Sequence, residues 1–295
     1  MAAERKTVLF TGGTGFLGSH LLHRMVDSGF KAILLKRVSS NMDRIEVLLP
    51  LITVYDIEGE DLGKIFRDHA INLIIHCATN YGREDSDPCA LLEANLFLPL
   101  TLLELGSRNR VSCFINTDTI LDKRVSTYSL SKSQFKDWLR LYSTGLTCIN
   151  VALEHFYGPN DDPSKFVTFV IRSLLQDVER IPLTGGEQKR DFIYIDDVVE
   201  AFYLIISRAG VMGNGFFDFE IGSGRTVTIR DFVTTVHRLV GAGRTLLDFG
   251  ALPYREHEVM DSSVDISALR ALGWHNATPL EEGLRKTITM ERELR

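Results

Sequence analysis

The stretch Thr11-Gly-Gly-Thr-Gly-Phe-Leu-Gly18 constrains the fold more than any other part of this chain. It follows a short apolar run, Thr7–Phe10, and opens a segment, Phe16–Asp27, whose apolar residues recur at helical spacing. Strand, glycine turn and helix in that order are what a dinucleotide pyrophosphate requires. Gly12 and Gly13 permit the tight turn, Gly15 lets the backbone approach the diphosphate, and Gly18 lets the helix pack on the strand. The helix amino terminus attracts the anion, which adds Phe16 and Leu17 to the cofactor-contact candidates.

Apolar runs recur at Lys31–Lys36, Leu51–Tyr55, Asn72–Cys77, Val111–Thr117 and Leu146–Glu154. Helical stretches separate them, among them the leucine-rich Cys89–Gly106 and Ser131–Ser143. This alternation predicts βαβ units and a doubly wound parallel sheet, an α/β fold of Rossmann type. Ligands of such sheets bind outside the carboxyl ends of the strands, which singles out Gly12, Lys36, Asp56, Ala78, Thr117 and His155. Beyond Pro159 helices and short strand-like runs follow a different pattern. Residues 1–160 are therefore read as a dinucleotide-binding domain, and 161–295 mainly as a smaller α/β substrate lobe that can return segments to the sheet.

A net charge of −6 without a dense Lys/Arg run argues against nucleic acid as a partner. The four cysteines are scattered, with no CxxC pair and no zinc spacing, so reduced thiols and no metal are expected. No signal-peptide core is visible, and no apolar run approaches the roughly 18 residues of a membrane span. The expectation is a cytoplasmic protein with no membrane partner.

Where most NAD-binding folds carry an acid after the second strand, this chain has Lys36-Arg37. A carboxylate there repels a 2′-phosphate and a guanidinium grips it, which argues for NADP(H). Asp56-Ile57 suits an adenine contact, with a helix cap as the alternative for Asp56. Thr79 is placed to line the cofactor, and Asn95 faces the site if its helix packs on the sheet. Tyr128 and Lys132 share a helical face at four-residue spacing. The lysine lowers the tyrosine pKa and binds the nicotinamide ribose, and the tyrosine exchanges a proton with a substrate oxygen, helped by a hydroxyl from Thr117 or Thr119. His155 is read as a backbone contact to the carboxamide, and Arg83, Glu84 and Asp85 as a solvated charge cluster.

These elements, with His76-Cys-Ala-Thr79, Tyr157-Gly-Pro159, Arg190-Asp-Phe192 and Leu272-Gly-Trp274, resemble the extended short-chain dehydrogenases/reductases that modify nucleotide sugars. Asn80-Tyr-Gly-Arg83, Leu153–Gly158, Gly186–Phe192 and Phe249-Gly250 are similar to the CDP-abequose and CDP-paratose synthases. The resemblance implies NADPH-dependent reduction of the 4-keto group of a CDP-linked 3,6-dideoxyhexose. It points to Thr117 as the catalytic hydroxyl, with Thr119 in contention. Related 4,6-dehydratases have a glutamate where this chain has Thr119, and a threonine cannot be that base. Arg190 and Arg255 would contact the diphosphate, unless they form ion pairs with Asp191 or Glu256. Tyr81, Asp118, Thr119, Lys165 and Phe166 are further substrate candidates. The leucine-rich helix suits the intersubunit pairing of relatives, hence a homodimer. The rivals are a 4-epimerase with tightly bound NAD and an NADP(H)-sensing protein without turnover.

Overall fold

The computed structural model describes residues 5–82, 87–241, 243–255 and 258–294. Strand β1 (Thr7–Thr11) is nearly all buried and lies inside a seven-stranded sheet, next to its central strand. The chain first moves outward through helix α1 (Phe16–Asp27), β2 (Lys31–Lys36) and β3 (Thr53–Asp56). It then crosses to the other side of β1 through α2 (Leu62–Asp68), adding β4 (Leu73–His76), β5 (Cys113–Thr119) and β6 (Thr147–Leu153). The sheet order is β10-β6-β5-β4-β1-β2-β3, and the pairings among β1 to β6 are parallel. The switch in direction falls between β1 and β4, so the crevice for a ligand opens where Gly12 follows β1 and Cys77 follows β4.

Two compact units emerge. One holds the chain through Leu153 together with Val199–Glu220, and the other holds Glu154–Val198 and everything from Ile221. The first unit thus takes back most of helix α7 (Ile195–Met212) and strand β10 (Gly215–Ile221), the edge strand beside β6. Its core joins strand residues such as Leu9, Ile74 and Phe114 to Leu102, Leu103, Phe135 and Leu139 of the covering helices.

Pro88–Arg108 is helical throughout, as α3 (Pro88–Leu92), a π turn (Glu93–Phe97) and α4 (Leu98–Arg108). It is long and apolar enough by composition to cross a membrane, contrary to the expectation that no run reaches that length. Here Leu91, Asn95, Leu102 and Leu103 are buried in the protein.

Helix α5 (Thr127–Tyr142) starts four residues before the run expected from spacing. Ser126 and Ser129 form a reciprocal capping box, each side chain accepting from the other's backbone N–H. Serines, weak in helix interiors, are strong at this position, and the cap brings Tyr128 into the first turn.

The second unit contains a three-stranded sheet, in which β9 (Lys189–Tyr194) lies between β7 (His155–Tyr157) and β11 (Thr226–Thr228). A two-stranded sheet joins β8 (Arg180–Leu183) to β12 (Leu246–Phe249). Helices α6 (Phe166–Leu175), α8 (Ile229–Val240), α9 (Ser267–Ala271) and α10 (Leu280–Glu293) complete it. Phe192 stacks on Phe232 at 3.9 Å in its core.

Candidate functional site

The glycine loop is shaped by close backbone contact. Gly12 has φ +71°, and a Cβ there would lie 2.4 Å from the Ala78 nitrogen. A Cβ on Gly18 would lie 2.0 Å from the Gly12 carbonyl oxygen, so any side chain would push α1 off β1. Gly15 stands at the N-cap of α1 and no side chain caps the helix, which leaves the first-turn N–H groups for an anion. Phe16 and Leu17 have buried side chains, so only their backbone faces that space. Ala78 donates its N–H to Thr11 Oγ1 at 3.3 Å, and Thr79 follows, half-buried.

A row of buried polar side chains crosses the sheet behind this loop. Thr11, His76, Asn116 and Asn150 are register partners on successive strands and all are fully buried. His76 Nδ1 lies 2.8 Å from Thr11 Oγ1, and its Nε2 has no partner. Burial and the nearby Lys132 hold its pKa well below 6.5. His76 is therefore neutral in the fold, and below pH about 6.5 the unfolded chain binds the extra proton. Its contribution to stability is complete above that pH and is lost as pH falls, by at most about 1.4 kcal/mol per unit. Thermal melts between pH 7 and 5 should fall more steeply for the wild type than for His76→Asn.

The proton-transfer group is compact. Tyr128 and Lys132 lie one turn apart on α5, and the exposed Tyr81 ring sits 5.3 Å from that of Tyr128. Burial, followed by Tyr81 and Asp118, pushes the Tyr128 phenol above its usual pKa of 10, whereas hydrogen bonding to Thr119 pulls it down. Lys132 is 1% exposed, and its Nζ has no hydrogen-bond partner among the described residues. Burial lowers its pKa from 10.5, against the opposing pull of Asp118 and Cys77. The expectation that the lysine sets the tyrosine pKa is thus corrected: burial dominates both groups. A buried ammonium of this kind, near Cys77 at the end of β4, fits the ribose of a dinucleotide, whose hydroxyls would complete its hydrogen bonds.

The two threonine hydroxyls at the end of β5 are held differently. That of Thr117 donates to the His76 carbonyl at 3.1 Å within the sheet, so its proton is committed. Thr119 Oγ1 accepts the Leu121 N–H at 3.3 Å and keeps its own proton for donation. Strand β5 runs two residues past the expected end, which brings Thr119 to the phenol. Asp118 is buried, with its oxygens accepting from the Thr119 backbone and from Asn150.

Three cofactor assignments change as well. Lys36 Nζ is hydrogen-bonded to Asp56 and to the Arg37 carbonyl, so lysine and aspartate hold each other instead of standing free for the cofactor. Their positions are register partners on β2 and β3, and Ile57 donates its N–H to the Lys36 carbonyl at 2.8 Å. Arg37 is exposed at the strand end, but the next N–H, from Val38, is taken by the Glu58 carboxylate at 3.0 Å. Asn95 sits in the π turn, fully buried. Its amide accepts from Asn80 N and donates to Asn80 O and Ser131 Oγ, fastening the loop after β4 to α5 and using both of its N–H donors within the fold.

The remaining candidates belong to the second unit. Arg190 is 9% exposed and paired through one nitrogen with Glu258 at 2.5 Å, a partner other than the two expected, while the other donates to the Lys189 carbonyl. Asp191 instead accepts from Ser223 and Gly224. Arg255 is exposed. His155 Nδ1 lies 2.7 Å from the buried Glu154 carboxylate, a side-chain pairing in place of the expected simple backbone role. Lys165 pairs with Asp161 at 3.2 Å and lies over the Phe156 ring, and Phe166 opens α6. Arg83, Glu84, Asp85 and Glu256 fall outside the described residues.

A family model described as the NAD dependent epimerase/dehydratase family matches residues 8–222. The chain belongs to that family. Among curated relatives, CDP-abequose synthase of Salmonella muenchen is 33% identical over 99% of this chain and 100% of its own length. UDP-glucose 4-epimerase of Mycolicibacterium smegmatis is 27% identical over 95% of this chain and 96% of its own. Among solved structures, UDP-glucose 4-epimerase of Thermotoga maritima with UDP-glucose superposes with a TM-score of 0.85 at 25% identity, covering 98% of this chain and 99% of that one. Membership makes the protein a nucleotide-sugar oxidoreductase or epimerase that uses a nicotinamide cofactor.

Proposed function

We propose that this protein reduces the 4-keto group of a CDP-linked 3,6-dideoxyhexose with NADPH, forming a paratose- or abequose-type product. The observation that carries the chemistry is geometric: Tyr128 in the first turn of α5 is hydrogen-bonded to Thr119 at the end of β5, so two hydroxyls stand together where a substrate oxygen can be served. The substrate class follows from the full-length likeness to a CDP-abequose synthase.

A bound reduced nicotinamide would supply hydride to the keto carbon. Tyr128 gives its proton to the substrate oxygen. Thr119 donates a hydrogen bond to that oxygen as charge develops there. Lys132 would hold the ribose, and the backbone of Gly12, Gly15, Phe16, Leu17 and Gly18 would receive the diphosphate of the cofactor. Tyr81 and Asp118 border the reacting group, and Arg255, with Lys165 and Phe166, is assigned to the nucleotide sugar. Exposed Leu130, Trp138 and Leu141 on α5 and Phe97 beside α4 support a homodimer.

Arg37 would hold the 2′-phosphate of NADPH, and Glu58, whose carboxylate accepts the neighbouring Val38 N–H, would oppose that charge. Arg37→Ala should weaken NADPH binding about 10- to 100-fold, the loss of a charge-assisted contact, with little effect on NADH. Glu58→Gln should tighten NADPH a few-fold. Titration of each cofactor by fluorescence checks both.

The second reading is a 4-epimerase with tightly bound NAD, favoured by Glu58 and by the Lys36–Asp56 pair, which leave the 2′-phosphate a contested place. The deciding experiment follows loss of reduced-nicotinamide absorbance with CDP-4-keto-3,6-dideoxyglucose, NADPH and NADH run in parallel. Turnover that prefers NADPH supports reduction. No turnover, together with stoichiometric NAD in the purified protein, favours the epimerase.

A further inference from the structure

Helix α5 carries a second lysine in line with the pair described above: Tyr128, Lys132 and Lys136 recur every four residues on one face. Lys136 Nζ lies 2.6 Å from Asp218 Oδ2 on β10. The other oxygen of Asp218 accepts from Asn150 Nδ2 on β6 at 2.9 Å. The same nitrogen donates its second hydrogen to Asp118 Oδ2, also at 2.9 Å. Asn150 Oδ1 accepts from Asn116 at 2.9 Å, and Asp118 Oδ1 accepts the Thr119 N–H at 2.8 Å.

One fully buried carboxamide therefore bridges two carboxylates, one beside the proton-transfer group and one on the returning edge strand. A buried amide in a strand as apolar as Thr147–Leu153 is costly unless its hydrogen bonds are made, and here both donors and the acceptor are used. Aspartate at this place would donate to neither carboxylate, and an aliphatic residue would leave both without their donor. The cofactor and the hydride step make no demand on Asn150. What it does is close a circuit from the helix that carries Tyr128 to the strand end that carries Thr119.

We propose that Asn150 is a positioning residue: through Asp118 on one side, and Asp218 and Lys136 on the other, it fixes Thr119 relative to Tyr128. The inference rests on the reading that Thr119 and Tyr128 act together on one substrate oxygen. A misplacement on the order of 1 Å at such a pair is enough to slow a reaction about a hundredfold.

The test compares full-length Asn150→Val with wild type. Turnover should fall about 10- to 100-fold while the KM and the NADPH dissociation constant stay within about twofold, the split expected of positioning. Amide hydrogen exchange at Thr119, read by mass spectrometry on peptides spanning 113–121, should accelerate. A merely structural role would lower the melting temperature without that split. Asp218→Asn keeps an acceptor for Asn150 but breaks the Lys136 pair, and should cost turnover a few-fold. Wild-type turnover in Asn150→Val overturns the proposal. If that variant does not fold, wild-type turnover in both Asp218→Asn and Lys136→Met does the same. If the wild-type protein turns over no keto sugar, the functional reading fails and exchange decides. Faster exchange at Thr119 with NADPH binding intact supports the positioning role, and unchanged protection ends it.

Discussion

Tyr128→Phe is expected to lower turnover of the keto sugar by about a hundredfold to ten-thousandfold, the range of a lost general acid, while the NADPH dissociation constant moves by less than about twofold. The phenol is the group with a proton to give at the substrate oxygen, and the substitution removes that proton while keeping the ring against Tyr81. The hydroxyls on β5 are separated by the same assay. Thr119→Val removes the hydroxyl bonded to the Tyr128 phenol and should cost turnover strongly. Thr117→Val removes a bond to the His76 carbonyl and should act mainly on stability. A Thr117→Val enzyme as slow as Tyr128→Phe, beside a fast Thr119→Val, would reverse the assignment. Near-wild-type turnover in Tyr128→Phe would remove the tyrosine from the mechanism altogether.

The strands of the large sheet were legible because each is a run of apolar residues, bounded by polar or glycine-rich segments and alternating with helices. The strands that escaped notice, β7, β8 and β11, are three or four residues long, too short for a period, and β8 carries a proline. The cofactor loop was legible for a similar reason, since its glycines are local in sequence and answer to one close approach. Pairings across the sheet were not. Lys36 and Asp56 each looked like a cofactor ligand when read alone, but parallel register makes them partners. Asn95 sits in a recognisable motif, yet its amide is engaged by Asn80 and Ser131. Asn150 had no signal at all: its partners lie 32, 34 and 68 residues away, and only the sheet brings them together.

Lys132→Met should raise the melting temperature while abolishing most of the activity. A buried ammonium with no hydrogen-bond partner is a net cost to the fold, and a methionine of similar length removes that cost without opening a cavity. The gain is about 1–3 kcal/mol, reduced by whatever Asp118 loses when its neighbouring charge goes, and corresponds to a shift of several degrees. The sign of the pH dependence is fixed by the depressed pKa. Between that value and 10.5 the unfolded chain binds more protons than the folded one, so wild-type stability from this group rises with pH. The advantage of Lys132→Met should therefore shrink as melts are repeated at increasingly alkaline pH. Saturating NADPH should narrow the gap too, because a ligand whose ribose hydroxyls take the ammonium stabilises the wild type and not the variant. A variant that melts below wild type at every pH, with and without NADPH, would mean that Lys132 is already satisfied within the fold. The lysine would then be a structural group, not one held ready for the ribose.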